Sequence, residues 1–141
     1  EAQAPEFQPV PSDASPGGSE TILLVDDEEL ILKVAAPLLE TLGYRVLLAS
    51  SGEEALSVLA ENAGEVDLVL LDLVMPGLSG TATFDRMQAL EDPPKVLLSS
   101  GYSPEGAAAD LLERGCQGFL QKPYRLAQIS SKIRSVLDAA P

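Results

Sequence analysis

Short apolar segments alternate with longer amphipathic segments along most of this chain. The apolar segments, rich in Val, Leu and Ile, are residues 21–26, 44–49, 67–72, 95–100 and 117–120. The segments with apolar side chains at a spacing of three to four residues are 28–42, 53–62, 79–90, 104–114 and 125–139. Strands that alternate with amphipathic helices are typical of a parallel sheet covered by helices on both faces. The sequence therefore predicts five βα units.

Strict alternation of strands and helices predicts an α/β fold with an open, doubly wound sheet, because parallel crossovers are right-handed. We expect a flavodoxin-like (βα)5 domain with a five-stranded parallel sheet in the order 2-1-3-4-5. In such a sheet, ligands bind beyond the carboxyl ends of the strands. Functional residues are therefore expected at positions 26–27, 72, 99–101 and 121–123.

The first 20 residues have a different composition from the rest. They contain four prolines, the pair Gly17-Gly18, four acids and no base. A segment of this kind cannot bury enough apolar surface to offset its conformational entropy. We interpret residues 1–20 as a flexible acidic linker and residues 21–141 as the folded domain. Since the chain opens without a basic and apolar leader, we expect it to be a cytoplasmic piece of a longer or trimmed polypeptide.

The overall composition excludes several functional classes. Acids outnumber bases 22 to 9, which gives a formal charge of −13 and argues against nucleic acid or an anionic membrane surface as a partner. The chain has no histidine, so histidine-based catalytic triads and histidine-ligated zinc sites are excluded. Cys116 is the single cysteine; it cannot form an intramolecular disulfide, and we assign it to core packing.

Carboxylates stand at the ends of the first and third predicted strands. Asp26 and Asp27 open a run of four acids, and Asp72 ends the third strand. Taken alone, acids at a helix N-terminus complement the helix dipole. In the expected strand order, however, these two strands are neighbours, and two carboxylates about 4 Å apart repel by about 4 kcal/mol at an effective dielectric constant of about 20. Such a cluster favours a bound cation, and hard oxygen ligands predict Mg²⁺, with Mn²⁺ as the alternative.

Two further polar residues stand at the same expected edge of the sheet. Lys122 follows the fifth strand, where its ammonium is suited to pair with a phosphoryl oxygen beside the acids. Ser100 ends the fourth strand and supplies a hydroxyl next to Gly101. A solvated lysine and an ordinary serine are the alternative interpretations of these two positions.

The four positions together resemble the motifs of response-regulator receiver domains of two-component signalling. The resemblance covers about residues 21–139. It rests on Asp26-Asp27, on Asp72 in LLDLVMPGLSG, on Ser100 in VLLSSGYS and on Lys122 in LQKPY. Each motif alone is a weak signal, but all four occur in order at the ends of strands one, three, four and five.

The resemblance implies a phosphoacceptor and a set of metal ligands. Asp72 would accept the phosphoryl group. Asp26 and Asp27 would bind Mg²⁺ together with Asp72 and the backbone carbonyl of Val74.

The resemblance also implies residues that sense the phosphoryl group. Lys122 would pair with it, the hydroxyl of Ser100 would move toward it, and the aromatic ring of Phe119 would turn inward with Ser100. At the positions that influence hydrolysis in this family, the chain has Val74 and Tyr102. Since neither side chain can activate a water molecule well, we expect a long-lived phosphorylated form.

A receiver domain would act as a signalling switch rather than a turnover enzyme. It would take a phosphoryl group from a phosphohistidine on a sensor histidine kinase or a histidine phosphotransfer domain, and would catalyse its own phosphorylation and slow dephosphorylation. The surface expected to change is formed by residues 104–114, 117–120 and 125–139, and a phosphorylation-dependent dimer is one outcome that the family allows. The acidic linker indicates the C-terminal receiver of a hybrid sensor histidine kinase, with a stand-alone receiver as the alternative.

Three other functions compete with this interpretation. A degenerate receiver would act only as a binding module. A haloacid-dehalogenase-like phosphatase also uses a strand-end Asp, but the second Asp of that family is replaced here by Val74. A nucleotide- or flavin-binding protein of the same architecture would need a phosphate-binding loop after the first strand, where four acids would repel a pyrophosphate.

Overall fold

The computed structural model describes residues 17–73, 77, 79–100, 111–122 and 125–139. The elements in these residues are β1 (Thr21–Val25), α1 (Glu29–Thr41), β2 (Arg45–Ala49), α2 (Gly52–Glu61), β3 (Leu68–Asp72), α3 (Gly80–Gln88), β4 (Lys95–Ser100), β5 (Gly118–Gln121) and α4 (Leu126–Asp138). Each strand lies within one residue of its predicted bounds, and each of these helices within two. Residues 111–113 are helical, but most of the helix predicted at 104–114 lies outside the described residues.

The strands form one five-stranded sheet in the order β2-β1-β3-β4-β5. All four neighbouring pairs are parallel. Every residue of β1 and β3 is buried, which explains the apolar runs Ile22–Val25 and Leu68–Leu71 that precede Asp26 and Asp72. The predicted flavodoxin-like fold and strand order are confirmed.

Helices cover both faces of the sheet, and successive strand residues face opposite layers. Ile22 and Leu24 belong to the core formed with α1 and α4. Leu23 and Val25 belong to the core formed with α2 and α3. This alternation follows from the two-residue period of a strand. Because all strands are parallel, the carboxyl ends of β1, β3, β4 and β5 lie at one edge, where the predicted functional residues are found.

Cys116 lies in the second of these cores, as its assignment to core packing predicts. It is 7% exposed, and its thiol donates to the backbone carbonyl of Val96 at 3.2 Å. Burial raises the pKa of the Cys116 thiol. The side chain is therefore a packing residue without the features of a reactive thiolate.

Residues 17–20, which the sequence analysis assigns to the linker, contact the folded domain. The amide of Gly18 donates to the carbonyl of Leu42 at 3.2 Å. Gly43 ends the α1–β2 turn with a φ of 107°, and a Cβ atom at this position would lie 2.3 Å from the carbonyl oxygen of Gly18. Glycine is required here both for its backbone conformation and for the close approach of the preceding segment. The predicted linker at 1–16 lies outside the described residues.

In the described part of the chain, no helix combines the length and the apolar character needed to cross a membrane.

Candidate functional site

Three carboxylates converge at the carboxyl edge of the sheet. Asp26 and Asp27 follow β1, and Asp72 is the last residue of β3. The neighbouring strands bring them together, because Val25 pairs with Leu71 in the parallel register. Each of the three residues offers a carboxylate oxygen that lies within 4.8 Å of the others. Asp26 and Asp72 are buried, and Asp27 is exposed.

The position of Asp26 is determined by the turn between β1 and α1. Its amide donates to the carbonyl of Ala49 at 3.1 Å, which continues the sheet pairing by one residue. Its Oδ1 atom accepts from the amide of Glu28 at 2.9 Å. These two bonds direct the carboxylate toward the strand ends and connect it to the beginning of α1.

Lys122 extends from the end of β5 into the group of acids. Its amide donates to the carbonyl of Ser100 at 2.7 Å. Its Nζ atom donates to Asp26 Oδ2 at 2.8 Å, lies 3.6 Å from Asp72 Oδ1 and lies 3.8 Å from Glu28 Oε1. Lys122 lies beside the acids, as the sequence predicts. The shortest contact of its ammonium is with Asp26 rather than with Asp72.

The electrostatics of the site favour a charged lysine. Burial alone would lower the pKa of Lys122, but its hydrogen bond to Asp26 and the charges of Asp72, Asp26 and Glu28 outweigh burial, so the pKa lies above its usual value. One ammonium faces three clustered carboxylates, and a negative excess therefore remains at the strand ends.

The donor set fits a small divalent cation. Carboxylate oxygens are the ligands that Mg²⁺ prefers, and Mg²⁺ is commonly bound through one or two carboxylates with its other positions left to water or phosphate. The exposure of Asp27 leaves a path from solvent to the cluster. Asp26, Asp27 and Asp72 are therefore the described residues that could hold the ion.

The other predicted site residues differ in what the structure says about them. Ser100 is the buried last residue of β4, at 3% exposure, and pairs with Gln121 in β5. Phe119 is partly buried and packs against the core that includes α2 and α3. Val74 and Tyr102 lie outside the described residues, so their predicted roles stay predictions.

Sequence reasoning missed the part played by Glu28. The run of four acids after β1 was a signal that carboxylates would surround the site, but periodicity could not indicate which of them would face Lys122. Glu28 is the N-cap residue of α1, and its side chain makes no capping hydrogen bond. Its carboxylate lies near Lys122 instead.

Comparisons with known proteins identify the family of this chain. A family model described as "Response regulator receiver domain" matches residues 22–134. Over 121 residues, the chain is 36% identical to the sensor kinase CckA of Brucella abortus, covering 86% of this chain and 13% of that protein. It spans about half the length of the transcriptional regulators that it also matches.

Solved structures resemble the fold of this chain over most of its length. A response regulator receiver domain protein from Clostridium thermocellum has a TM-score of 0.79 and 31% identity, over 84% of this chain and 94% of that one. The CheX-CheY-BeF3-Mg²⁺ complex from Borrelia burgdorferi contains a chain with a TM-score of 0.79 and 25% identity, over 85% of this chain and 90% of that one.

Proposed function

This chain belongs to the family of response regulator receiver domains, and from that premise we propose that it accepts a phosphoryl group from a phosphohistidine onto Asp72 in a two-component phosphorelay. The observation that carries the proposal is the convergence of Asp26, Asp27 and Asp72 within 4.8 Å, with Lys122 3.6 Å from Asp72. A buried strand-end carboxylate beside a metal-binding group and an ammonium is the arrangement that aspartyl phosphorylation needs.

In the proposed reaction, a carboxylate oxygen of Asp72 attacks phosphorus in line with the leaving nitrogen of the donor. The P–N bond breaks and an acyl phosphate forms on Asp72. Asp26, Asp27, Asp72 and the carbonyl of Val74 would hold Mg²⁺, which supplies Lewis-acid stabilisation of the transferred charge when bound. Lys122 would pair with a phosphoryl oxygen through one of its three N–H donors, while another donates to Asp26.

We further propose that phosphorylation changes a protein-interaction surface. Ser100 ends β4 and Phe119 lies in the neighbouring strand β5. A shift of the Ser100 hydroxyl toward Asp72 would therefore change the space available to the Phe119 side chain. In this proposal, the responding surface comprises β5, α4 and the segment predicted as a helix at 104–114. To change a two-state population from 1:99 to 99:1, the phosphoryl group must favour the active form by about 5.5 kcal/mol.

The larger setting is also a proposal. The similarity to a sensor kinase and the acidic segment at 1–20 favour the receiver of a hybrid histidine kinase, with a linker at 1–20 and the receiver at 21–141. The partner would be a sensor histidine kinase or a histidine phosphotransfer domain, and the family resemblance would place the chain in the cytoplasm. We propose that the domain catalyses its own phosphorylation and slow dephosphorylation.

Intact-protein mass spectrometry tests this function directly. The protein is incubated with Mg²⁺ and either acetyl phosphate or phosphoramidate, whose P–N bond imitates that of phosphohistidine. We expect one phosphoryl adduct in the wild type and none in Asp72→Asn. The matched control is Asp92→Asn, which makes the same change at an exposed position outside the site and should be phosphorylated like the wild type.

The competing functions predict results other than a single stable adduct in this experiment. A degenerate receiver would form no adduct with either donor. A phosphatase would release inorganic phosphate continuously without accumulating an adduct. An adduct that persists in Asp72→Asn would contradict the assignment of the acceptor residue.

A further inference from the structure

The side chain of Glu28 occupies a position that its place in α1 does not require. Glu28 is the N-cap residue of this helix, yet its side chain makes no capping hydrogen bond. Its Oε1 atom lies 3.8 Å from Lys122 Nζ, and the side chain is 63% exposed. The carboxylate therefore faces the candidate site rather than the amides of its own helix.

The backbone of Glu28 connects this carboxylate to the metal-binding acids. Its amide donates to Asp26 Oδ1 at 2.9 Å, while Asp26 Oδ2 accepts from Lys122 at 2.8 Å. Three carboxylates thus share one ammonium: Asp26, Asp72 and Glu28. Lys122 lies within ion-pair distance of all three, so each of these charges attracts its ammonium toward the acids and away from other partners.

We propose that Glu28 is a positioning residue that restrains Lys122 and biases the site toward a cation and against a phosphoryl group. This inference rests on the function proposed above. The negative charge of Glu28 attracts a cation that approaches the acid cluster. The same charge competes with a phosphoryl oxygen for the ammonium and repels an incoming phosphoryl anion.

The proposal predicts opposite changes in two affinities, one for Mg²⁺ and one for a phosphoryl mimic. Removing the charge of Glu28 should weaken Mg²⁺ binding and, at saturating Mg²⁺, strengthen binding of a phosphoryl mimic. Exposed ion pairs contribute little, so we expect each change to be about twofold to fivefold. A general loss of structure would weaken both ligands together and could not produce this pattern.

The chain contains a matched control in the next residue. Glu29 is exposed and lies in the first turn of α1. It is not among the ion-pair partners of Lys122 in the described structure. Glu28→Gln and Glu29→Gln therefore remove the same charge at adjacent positions, but only the first removes a contact with Lys122.

The experiment measures two affinities for the wild type, Glu28→Gln and Glu29→Gln. Calorimetric titration with Mg²⁺ gives the first, and ¹⁹F NMR titration with beryllofluoride at saturating Mg²⁺ gives the second. We expect Glu28→Gln to bind Mg²⁺ about twofold to fivefold more weakly and beryllofluoride more tightly by a similar factor, with Glu29→Gln close to the wild type.

The possible failures are distinguishable. If Glu28→Gln and Glu29→Gln change both affinities equally, the charge acts at long range and the inference is overturned, while the proposed function stands. If Glu28→Gln weakens both ligands, its role is structural and the inference is again overturned. If the wild type binds no beryllofluoride and forms no adduct with acetyl phosphate, the proposed function fails, and this inference fails with it.

Discussion

Lys122 makes a shorter contact with Asp26 than with Asp72. Its Nζ atom lies 2.8 Å from Asp26 Oδ2 and 3.6 Å from Asp72 Oδ1. The ammonium is therefore hydrogen-bonded to an acid that we assign to metal binding, not to the proposed phosphoacceptor. A divalent cation bound at this site would compete with Lys122 for the Asp26 carboxylate, so we expect metal binding and the position of the lysine to be coupled.

This competition predicts opposite effects of Lys122→Met on the two ligands of the site. Removing a positive charge that pairs with Asp26 should tighten Mg²⁺ binding by about fivefold to tenfold, since about 1 kcal/mol of repulsion and competition is lost. Phosphorylation of Asp72 by acetyl phosphate should nevertheless become slower, because no ammonium faces the phosphoryl oxygens. Calorimetry and intact mass measure the two quantities.

Lys33→Met is the control for this prediction. Lys33 is exposed on α1 and is not an ion-pair partner of Asp26 or Asp72 in the described structure. The substitution removes the same charge as Lys122→Met. It should leave both quantities within twofold of the wild type, a limit that reflects about 0.4 kcal/mol. Weaker Mg²⁺ binding in Lys122→Met would contradict the competition.

Asp26 and Asp27 should differ in their effects on stability although both are assigned to the metal. Asp26 is buried and bonded to Lys122 and to the amide of Glu28, whereas Asp27 is exposed. Asp26→Asn removes a buried charged hydrogen bond with Lys122 but also relieves repulsion from Asp27 and Asp72, so we expect the free energy of unfolding to fall by only about 1 kcal/mol in metal-free buffer. Asp27→Asn should change stability by less than about 0.5 kcal/mol.

Urea denaturation with and without Mg²⁺ checks both variants. The wild type should gain stability from Mg²⁺ as mass action requires, and both variants should lose most of this gain. A gain equal to that of the wild type in Asp27→Asn would remove this residue from the ligand set.

The fold could be predicted because each strand and helix is indicated by the pattern of apolar residues within its own short segment. β1 and β3 are apolar except for Thr21 and Asp72, and apolar runs of this kind are typical of central strands in a sheet covered on both faces. The convergence of Asp26, Asp27 and Asp72 then followed from strand order, because parallel strands end at one edge. Predicting that these acids meet required the strand order but not the direction of any side chain.

The contacts that could not be predicted join residues far apart in sequence. Lys122 and Asp26 are 96 positions apart, and which of several nearby acids a flexible lysine contacts depends on distances of about 1 Å. The pairing of Arg134 with Glu20, 114 positions away, cannot be predicted for the same reason. The composition of residues 1–20 as a whole favours disorder and therefore predicts a linker that includes Glu20. Periodicity gives the face of an element but not the partner of a charged side chain.

Lys95 closes the carboxyl end of α4, which predicts a local effect on that helix. Its Nζ atom donates to the carbonyls of Val136 at 3.0 Å, Leu137 at 3.3 Å and Ala139 at 2.8 Å. The last carbonyls of a helix lack the amide partners available in its interior, although Val136 also accepts from the amide of Ala139 at 3.3 Å. A cation there also complements the helix dipole. Lys95→Met should lower the free energy of unfolding by about 1 kcal/mol.

Hydrogen exchange distinguishes this local effect from a global one. In Lys95→Met, amides in the last turns of α4 should exchange faster relative to amides in β1. Lys33→Met again supplies the control and should leave the exchange of α4 unchanged. Uniformly faster exchange across the sheet would show that Lys95 supports the fold as a whole rather than this helix end.

Arg134 attaches the segment before β1 to α4. Its guanidinium donates two hydrogen bonds to the Glu20 carboxylate, at 2.9 and 2.8 Å. It also donates to the carbonyl of Gly17 at 3.2 Å and to Asp138 at 2.7 Å. This cluster holds residues 17–20 against the helix that we propose as part of the responding surface.

The Glu20–Arg134 pair should make stability depend on pH in the acidic range. The hydrogen bonds from Arg134 lower the pKa of Glu20 from 4.5 to about 2. A carboxyl group with a lowered folded-state pKa stabilises the protein above its unfolded pKa, and this contribution disappears as the pH falls from about 4.5 to about 2. Since the pair is partly exposed and screened by solvent, Glu20→Gln should cost about 1 kcal/mol at neutral pH.

Urea denaturation at several pH values checks this prediction. The difference in the free energy of unfolding between the wild type and Glu20→Gln should shrink steadily below pH 4.5. Glu65→Gln, which removes the exposed 3.6 Å pair with Arg45, should show neither the cost nor the pH dependence. A cost for Glu20→Gln that stayed constant down to about pH 3 would show that Glu20 contributes by packing rather than by its charge.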